Sequence, residues 1–183
     1  MKQEIINMDS VQDYNENLGV ETLHPLVSVV DMSELDEIRH SLKRFGFYAV
    51  FLKQLECGTI MYGRSGYDYR EGTLMCVAPG QIAGANDGGV TKHPKGWILM
   101  FHPDLLRGTS LANKIRDYSF FPIHQTKCCI PRSVNGKPLS VARKKYEGVA
   151  APDRPPQQAH HRYQHRIVAQ SLHPFLRPSV RDP

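Results

Sequence analysis

From Leu23 onward the apolar residues fall into short runs separated by glycine, proline and polar clusters, the layout of a chain built from strands. Pro25–Asp31 (PLVSVVD) is β-branched and bounded by polar residues, and it predicts a strand. Phe45–Leu52 (FGFYAVFL) sets aromatics at alternate positions over an apolar opposite face and is the strongest strand signal in the chain. Ile60–Tyr62 and Gly66–Tyr69 predict two shorter strands around Gly63-Arg64-Ser65. In Leu74–Ala78 the alternation of Leu74, Cys76 and Ala78 with Met75 and Val77 leaves no polar face, so this strand is expected to be covered on both sides. A turn at Gly72 leads into it. Pro79 and Gly80 end it, the first by removing a backbone donor and the second by letting the chain swing away. Gly96–His102 predicts a further buried strand. Met32–His40 reads as a polar connection holding one helical turn with Ser33 as its N-cap, and Ala83–Lys95, with Gly84, Gly88, Gly89 and Pro94, as one long glycine-rich loop. Short, closely spaced strands with glycine turns point to a sandwich or a barrel.

The pattern changes after Pro103. Asp104–Arg107 fits a single helical turn, and Thr109 or Ser110 can cap a second helix in which Leu111 and Ile115 share a face. Asp117–Phe121 would return an aromatic cluster to the β body. Residues 1–20 are polar and acidic, without the apolar segment of a secretory signal, and read as an N-terminal arm.

Composition adds two things. The 183 residues, 40% apolar and 22% charged, are ordinary for a soluble protein with one good core or two small ones, and no run of 18 apolar residues offers a membrane span. Cys57, Cys76, Cys128 and Cys129 form no CxxC pair, which suits a reducing cytoplasm. The net charge of +5 is unevenly placed: residues 1–121 carry 12 Lys+Arg against 15 Asp+Glu, whereas residues 122–183 carry 11 against 3. The body is therefore mildly acidic and the last third strongly basic. That last third also holds nine of the thirteen prolines and has no hydrophobic period, so it is expected to be disordered. Its Arg143-Lys144-Lys145 and His160–Arg166 runs would suit a basic arm on phosphate backbones.

Four blocks carry a family likeness: Asn17–Val29; Phe45–Ala49; Glu71–Leu74 with Ala78–Gln81; and Lys95–Trp97 with Phe101–Leu105. In this order they resemble the N-terminal domain of AraC-type bacterial transcriptional regulators, over about residues 12–121. The resemblance implies a mainly β, cupin-like double-stranded β-helix (a jelly-roll barrel) over residues 21–121, followed by short α-helices. It also implies a role in sensing a small-molecule effector or in homodimerisation, with DNA binding left to a separate pair of helix-turn-helix motifs. Those helices do not follow Phe121 here. Read in a shifted frame, with free choice at degenerate codon positions, Asp153–Pro183 can yield a proline-free amphipathic string similar to the family's linker helix. A frameshift soon after Phe121 is therefore the favoured account of residues 122–183.

Catalytic chemistry finds little support. A cupin metal centre needs an HxH pair with later Glu and His ligands, yet Tyr67–Glu71 contains no histidine and Ile82 follows Pro79-Gly80-Gln81 where a last histidine is expected. His24, His40, His93 and His102 are scattered over loops and strand ends. No P-loop, nucleophile elbow or dinucleotide fingerprint is present. The expectation is a non-enzymatic domain without metal or cofactor; the alternatives are a small cupin enzyme with an atypical metal site and a nucleic-acid-binding protein acting through its basic tail. Tyr48, Tyr62, Tyr69, Trp97 and His102 are the candidate ligand-binding residues, since aromatic faces with polar tips grip a sugar or small metabolite. The same aromatics would equally serve as core filling or as a dimer face.

Overall fold

The structure is a computed structural model, and its description covers residues 5–53, 59–62, 65–68, 74–85 and 89–115. Among these residues the chain is mainly β. In order they form β1 (Ile5–Met8), α1 (Val11–Leu18), β2 (Val27–Asp31), β3 (Ile38–Arg39), β4 (Leu42–Phe45), β5 (Tyr48–Lys53), β6 (Thr59–Tyr62) and β7 (Ser65–Asp68). Then come β8 (Leu74–Val77), β9 (Ile82–Ala85), β10 (Thr91–Lys92), β11 (Gly96–Phe101), a 3-10 turn over Pro103–Leu106 and α2 (Ser110–Lys114). A five-stranded sheet has the order β1-β4-β9-β6-β7, a four-stranded sheet the order β2-β11-β5-β8, and β3 and β10 make a separate ribbon. Apart from the parallel pair β1–β4, the pairings are antiparallel.

The four-stranded sheet is apolar on both faces, as the pattern in Leu74–Ala78 anticipated. Side chains alternate across it with the two-residue period of a strand. Val27, Val29, Tyr48, Val50, Leu52, Cys76, Leu99 and Phe101 lie on one face, where Leu105, Leu106 and Ile115 from the C-terminal helical segment cover them. Val30, Ala49, Phe51, Val77, Ile98 and Met100 lie on the other and pack with Phe45 and Ala83 of the five-stranded sheet and with Val11 and Tyr14 of α1. The second face is the space between the sheets. Each large side chain fully buried there or opposite contributes about 1.5–3 kcal/mol of transfer free energy.

Several boundaries differ from the sequence-based expectations. Phe45–Leu52 is not one strand: β4 ends at Phe45, a bend at Gly46-Phe47 intervenes, and β5 begins at Tyr48 in the other sheet. The apolar run is continuous because Phe45 and Phe47 are both buried between the sheets, with ring centroids 5.6 Å apart. The supposed loop Ala83–Lys95 contains most of β9, together with β10. Glycine hid β9, yet Gly84 pairs with Leu42 where the β4 backbone comes so near that a Cβ would strike the Ser41 carbonyl oxygen. The 3-10 turn Met32–Glu34 is capped by Asp31, whose Oδ1 accepts from the Ser33 N–H at 3.0 Å, rather than by Ser33.

The arm is also structured. In α1 Ser10 and Asp13 form a capping box: the Asp13 N–H donates to Ser10 Oγ at 3.1 Å and the Ser10 N–H to Asp13 Oδ2 at 2.9 Å. Gly19 closes the helix in the left-handed conformation at φ 71°. The Pro79-Gly80 turn behaves as expected. It carries the chain between sheets, held by bonds from the Gly80 N–H to the Phe45 carbonyl at 2.6 Å and from the Phe45 N–H to the Gln81 carbonyl at 3.0 Å. The C-terminal helix is capped by Thr109, whose Oγ1 accepts from the Ala112 N–H at 3.3 Å. The Gly72 turn, Asp117–Phe121 and residues 122–183 lie outside the described residues. No helix among the described residues is long and apolar enough to cross a membrane.

Candidate functional site

A cavity of about 70 Å³ opens between the two sheets. Its floor is apolar and comes from both sheets: Phe51, Met75 and Ile98 on one side, Phe45, Ala83 and Ala85 on the other. Its mouth is polar. The β3–β10 ribbon supplies Arg39 and Lys92, the connection to β4 supplies His40 and Ser41, and β4 itself supplies Lys43.

The ribbon sets this mouth by pairing. Thr91 faces Arg39 and Lys92 faces Ile38, and the His40 N–H donates to the Val90 carbonyl at 2.9 Å. Lys43 Nζ donates to Ser41 Oγ at 2.6 Å and stands 5.9 Å from the centroid of the Tyr14 ring, within cation–π range. Among the described residues Arg39, Lys43 and Lys92 line the cavity, and no carboxylate does. The nearby Glu37 is engaged outside it, 3.2 Å from His93 Nε2. Among the described residues no carboxylate pairs with Arg39 or Lys92.

Among the described residues Tyr14 is the one phenol in the cavity wall. It comes from α1, and only 6% of its surface is exposed. Its ring is surrounded by Phe45, Phe47 and Phe51 at centroid distances of 5.5, 6.0 and 6.4 Å. Its hydroxyl makes no hydrogen bond to any described residue. Burial alone pushes its pKa well above the ordinary tyrosine value. A buried phenol without a partner costs free energy, so such groups normally have one.

The aromatic candidates from the sequence occupy other places. Tyr48 is buried on the helix-covered face and stacks on Phe101, with centroids 5.1 Å apart and planes 18° from parallel. Trp97 packs, partly buried, against the same cluster. Both side chains thus fill the layer between the sheet and the C-terminal helical segment. His102 ends β11 and caps the following 3-10 turn, its Nδ1 accepting from the Asp104 N–H at 3.2 Å. None of these three lines the cavity. Tyr62 lies in β6, which pairs with β9, and Tyr69 is outside the described residues. The residues that do line the mouth were missed because they come from separate short segments, none of which forms a motif. Tyr14 was missed with its helix, although Ser10-x-x-Asp13 ahead of Tyr14, Leu18 and Gly19 is a legible helix signature.

Among the described residues no three His, Cys, Asp or Glu side chains come together as a metal-ion set. Compared with known protein families and with curated proteins, the chain matches none.

Proposed function

We propose that this chain is the effector-sensing part of an AraC-type transcriptional regulator, acting by binding a small molecule and not by catalysis. The observation that carries this reading is the cavity between the two sheets: an apolar floor, a polar mouth and, in its wall, a buried tyrosine hydroxyl with no partner among the described residues. Ligand sites in β domains have this form, a mostly apolar recess with a few polar groups that fix orientation. The jelly-roll closure of the fold, homodimerisation and a cytoplasmic location belong to the same proposal. In it, effector binding between the sheets would be communicated through the four-stranded sheet, because the other face of that sheet holds the helical segment leading to residues 116–183.

The test is a thermal-shift screen of the full chain against sugars, organic acids and other small metabolites. A ligand that binds only the folded state raises the melting midpoint by mass action. A saturable rise that is abolished by filling the cavity with Ala83→Leu supports the reading. The absence of any such ligand across a broad screen overturns it.

A further inference from the structure

We infer that the effector is a small uncharged molecule with a largely apolar body, a short-chain alcohol or ketone of about three to five non-hydrogen atoms, held between the alanines of β9 and a row of large side chains in the four-stranded sheet. The inference rests on the sensor reading and names the ligand class for it.

The cavity exists because small residues face large ones. In β9 Ala83 and Ala85 are two residues apart and so share a face; both are buried, and both line the cavity beside Gly84. Against them stands a row set by strand register: Ile98 of β11 lies opposite Phe51 of β5, and Phe51 lies opposite Met75 of β8. These three therefore project from one face of their sheet, the face turned toward β9, and all three line the cavity. Methyl-sized side chains on one wall leave open the space that a leucine or isoleucine there would fill. The body of a ligand in that space meets carbon and sulfur on both sides.

Charge stays at the mouth. Lys43 and Phe45 share the inward face of β4, and the Lys43 ammonium turns back to Ser41 Oγ at 2.6 Å, toward the mouth and away from Phe45. In the ribbon Arg39 pairs with Thr91 and Lys92 with Ile38, so these two cations stand on opposite faces and do not converge on one ligand. The Arg39 guanidinium lies against Gly89. An ionised ligand between the sheets would lose its hydration against Phe51, Met75 and Ile98, a cost that an uncharged molecule avoids. One oxygen on the ligand suits the mouth, because the Ser41 hydroxyl accepts from Lys43 and keeps its own proton to donate.

Size sets the length of the molecule. About 70 Å³ is roughly half of the ~150 Å³ apolar cavity that admits benzene. A hexose is too large for it, whereas propanol or acetone fits.

The experiment is an NMR titration of the full chain, with the methyl groups of Met75 and Ile98 as reporters. Acetone, acetamide and acetate have nearly the same shape and differ in polarity, and propan-2-ol adds the alcohol. Ala85→Val fills the cavity, Ile98→Val enlarges it by one methylene, and melting curves verify folding. Saturable binding of acetone or propan-2-ol in about the millimolar range, at least tenfold weaker for acetamide and acetate, is the expected result. Ala85→Val should weaken it about tenfold or more, and Ile98→Val, read at Met75, should move the preference from acetone to butan-2-one. Should Ala85→Val fail to fold, the change in preference in Ile98→Val decides alone. Acetate or acetamide binding as tightly as acetone, and lost in Ala85→Val, would overturn the apolar class while leaving the sensor reading standing. If neither acetone nor propan-2-ol binds, or if binding ignores both variants, the inference is wrong, and the metabolite screen alone then decides the sensor reading.

Discussion

The Ser28 hydroxyl donates to Asn15 Oδ1 at 3.0 Å, in a position where both residues are almost completely withdrawn from water. Asn15 also donates from Nδ2 to Thr22 Oγ1 at 3.1 Å. One amide thus ties α1 to β2 and to the segment between them, and it does so one residue from Tyr14. The side chain that places a phenol in the cavity wall is held there by a buried polar bond on the adjacent residue.

Asn15→Ala should therefore cost stability. It empties a buried site and leaves the Ser28 hydroxyl without its partner, each effect being of order 1–3 kcal/mol. A loss of about 2–4 kcal/mol in urea unfolding is expected. Ser28→Ala should cost less, about 1–2 kcal/mol, because the amide keeps Thr22. Equal and negligible losses would show that α1 is not anchored by this bond.

What was legible in the sequence was the alternation itself. β2, β8 and β11 stand where β-branched and apolar runs predicted them, and the expectation that Leu74–Ala78 is covered on both faces follows directly from its lack of a polar face. Elements whose identity depends on distant partners were not legible. β9 has the weakly β-forming sequence Ile-Ala-Gly-Ala and exists because β4 and β6 pair with it on either side. The site was hidden for the same reason. Ile38 and Lys92, both in the cavity lining, are more than fifty residues apart in sequence and come opposite each other only through the β3–β10 ribbon. The aromatic residues that looked like ligand grips also illustrate a limit of pattern. Alternation groups Tyr48 with Val50 and Leu52 on one face, but it does not say that this face meets helices and the other meets the second sheet.

Gly84→Ala should disturb the cavity from its edge. Gly84 has φ 148°, lies in the β4–β9 pairing and lines the cavity, and an added Cβ would collide with the Ser41 carbonyl oxygen, which is backbone and cannot turn aside. Moving it displaces the Ser41–Lys43 segment of the mouth. A destabilisation of about 1–3 kcal/mol is expected, together with weakened ligand binding. Gly80→Ala is the contrast: φ is again positive, at 86°, but nothing lies within 4 Å of the added carbon. Its cost should stay at about 1–2 kcal/mol with binding intact, as read by paired melting and titration experiments.

The basic third of the sequence gives a separate prediction about nucleic acid. Affinity of the full chain for DNA should be independent of sequence and should fall steeply between 50 and 200 mM salt, since it would come from Lys and Arg on phosphates. Deleting residues 122–183 should remove it. The frameshift proposal adds that the nucleotide sequence past the codon for Phe121 should continue in another frame into an amphipathic helix and two helix-turn-helix units. A defined footprint that survives physiological salt, or the absence of any such frame, would count against these two expectations respectively.

Tyr14→Phe separates the cost of the site from its use. The hydroxyl is buried without a partner among the described residues, so its removal should leave stability unchanged or raise it by up to about 1–2 kcal/mol. The pH dependence should change with it. Burial raises the folded-state pKa of Tyr14 above the unfolded value of 10.0. Below pH 10 both states hold the proton, and the group makes stability neither rise nor fall with pH. Above pH 10 the unfolded chain releases the proton while the folded protein retains it, so stability must decline as pH rises, by about 1.4 kcal/mol per unit for this one group. The decline continues until the folded-state pKa is reached. Unfolding midpoints measured from pH 8 to 11 should fall less steeply above pH 10 in Tyr14→Phe than in the wild type, by the slope of one proton. A phenylalanine variant that is clearly less stable at pH 7, with the alkaline slope unaltered, would mean that the hydroxyl has a protein partner and is not waiting for a ligand.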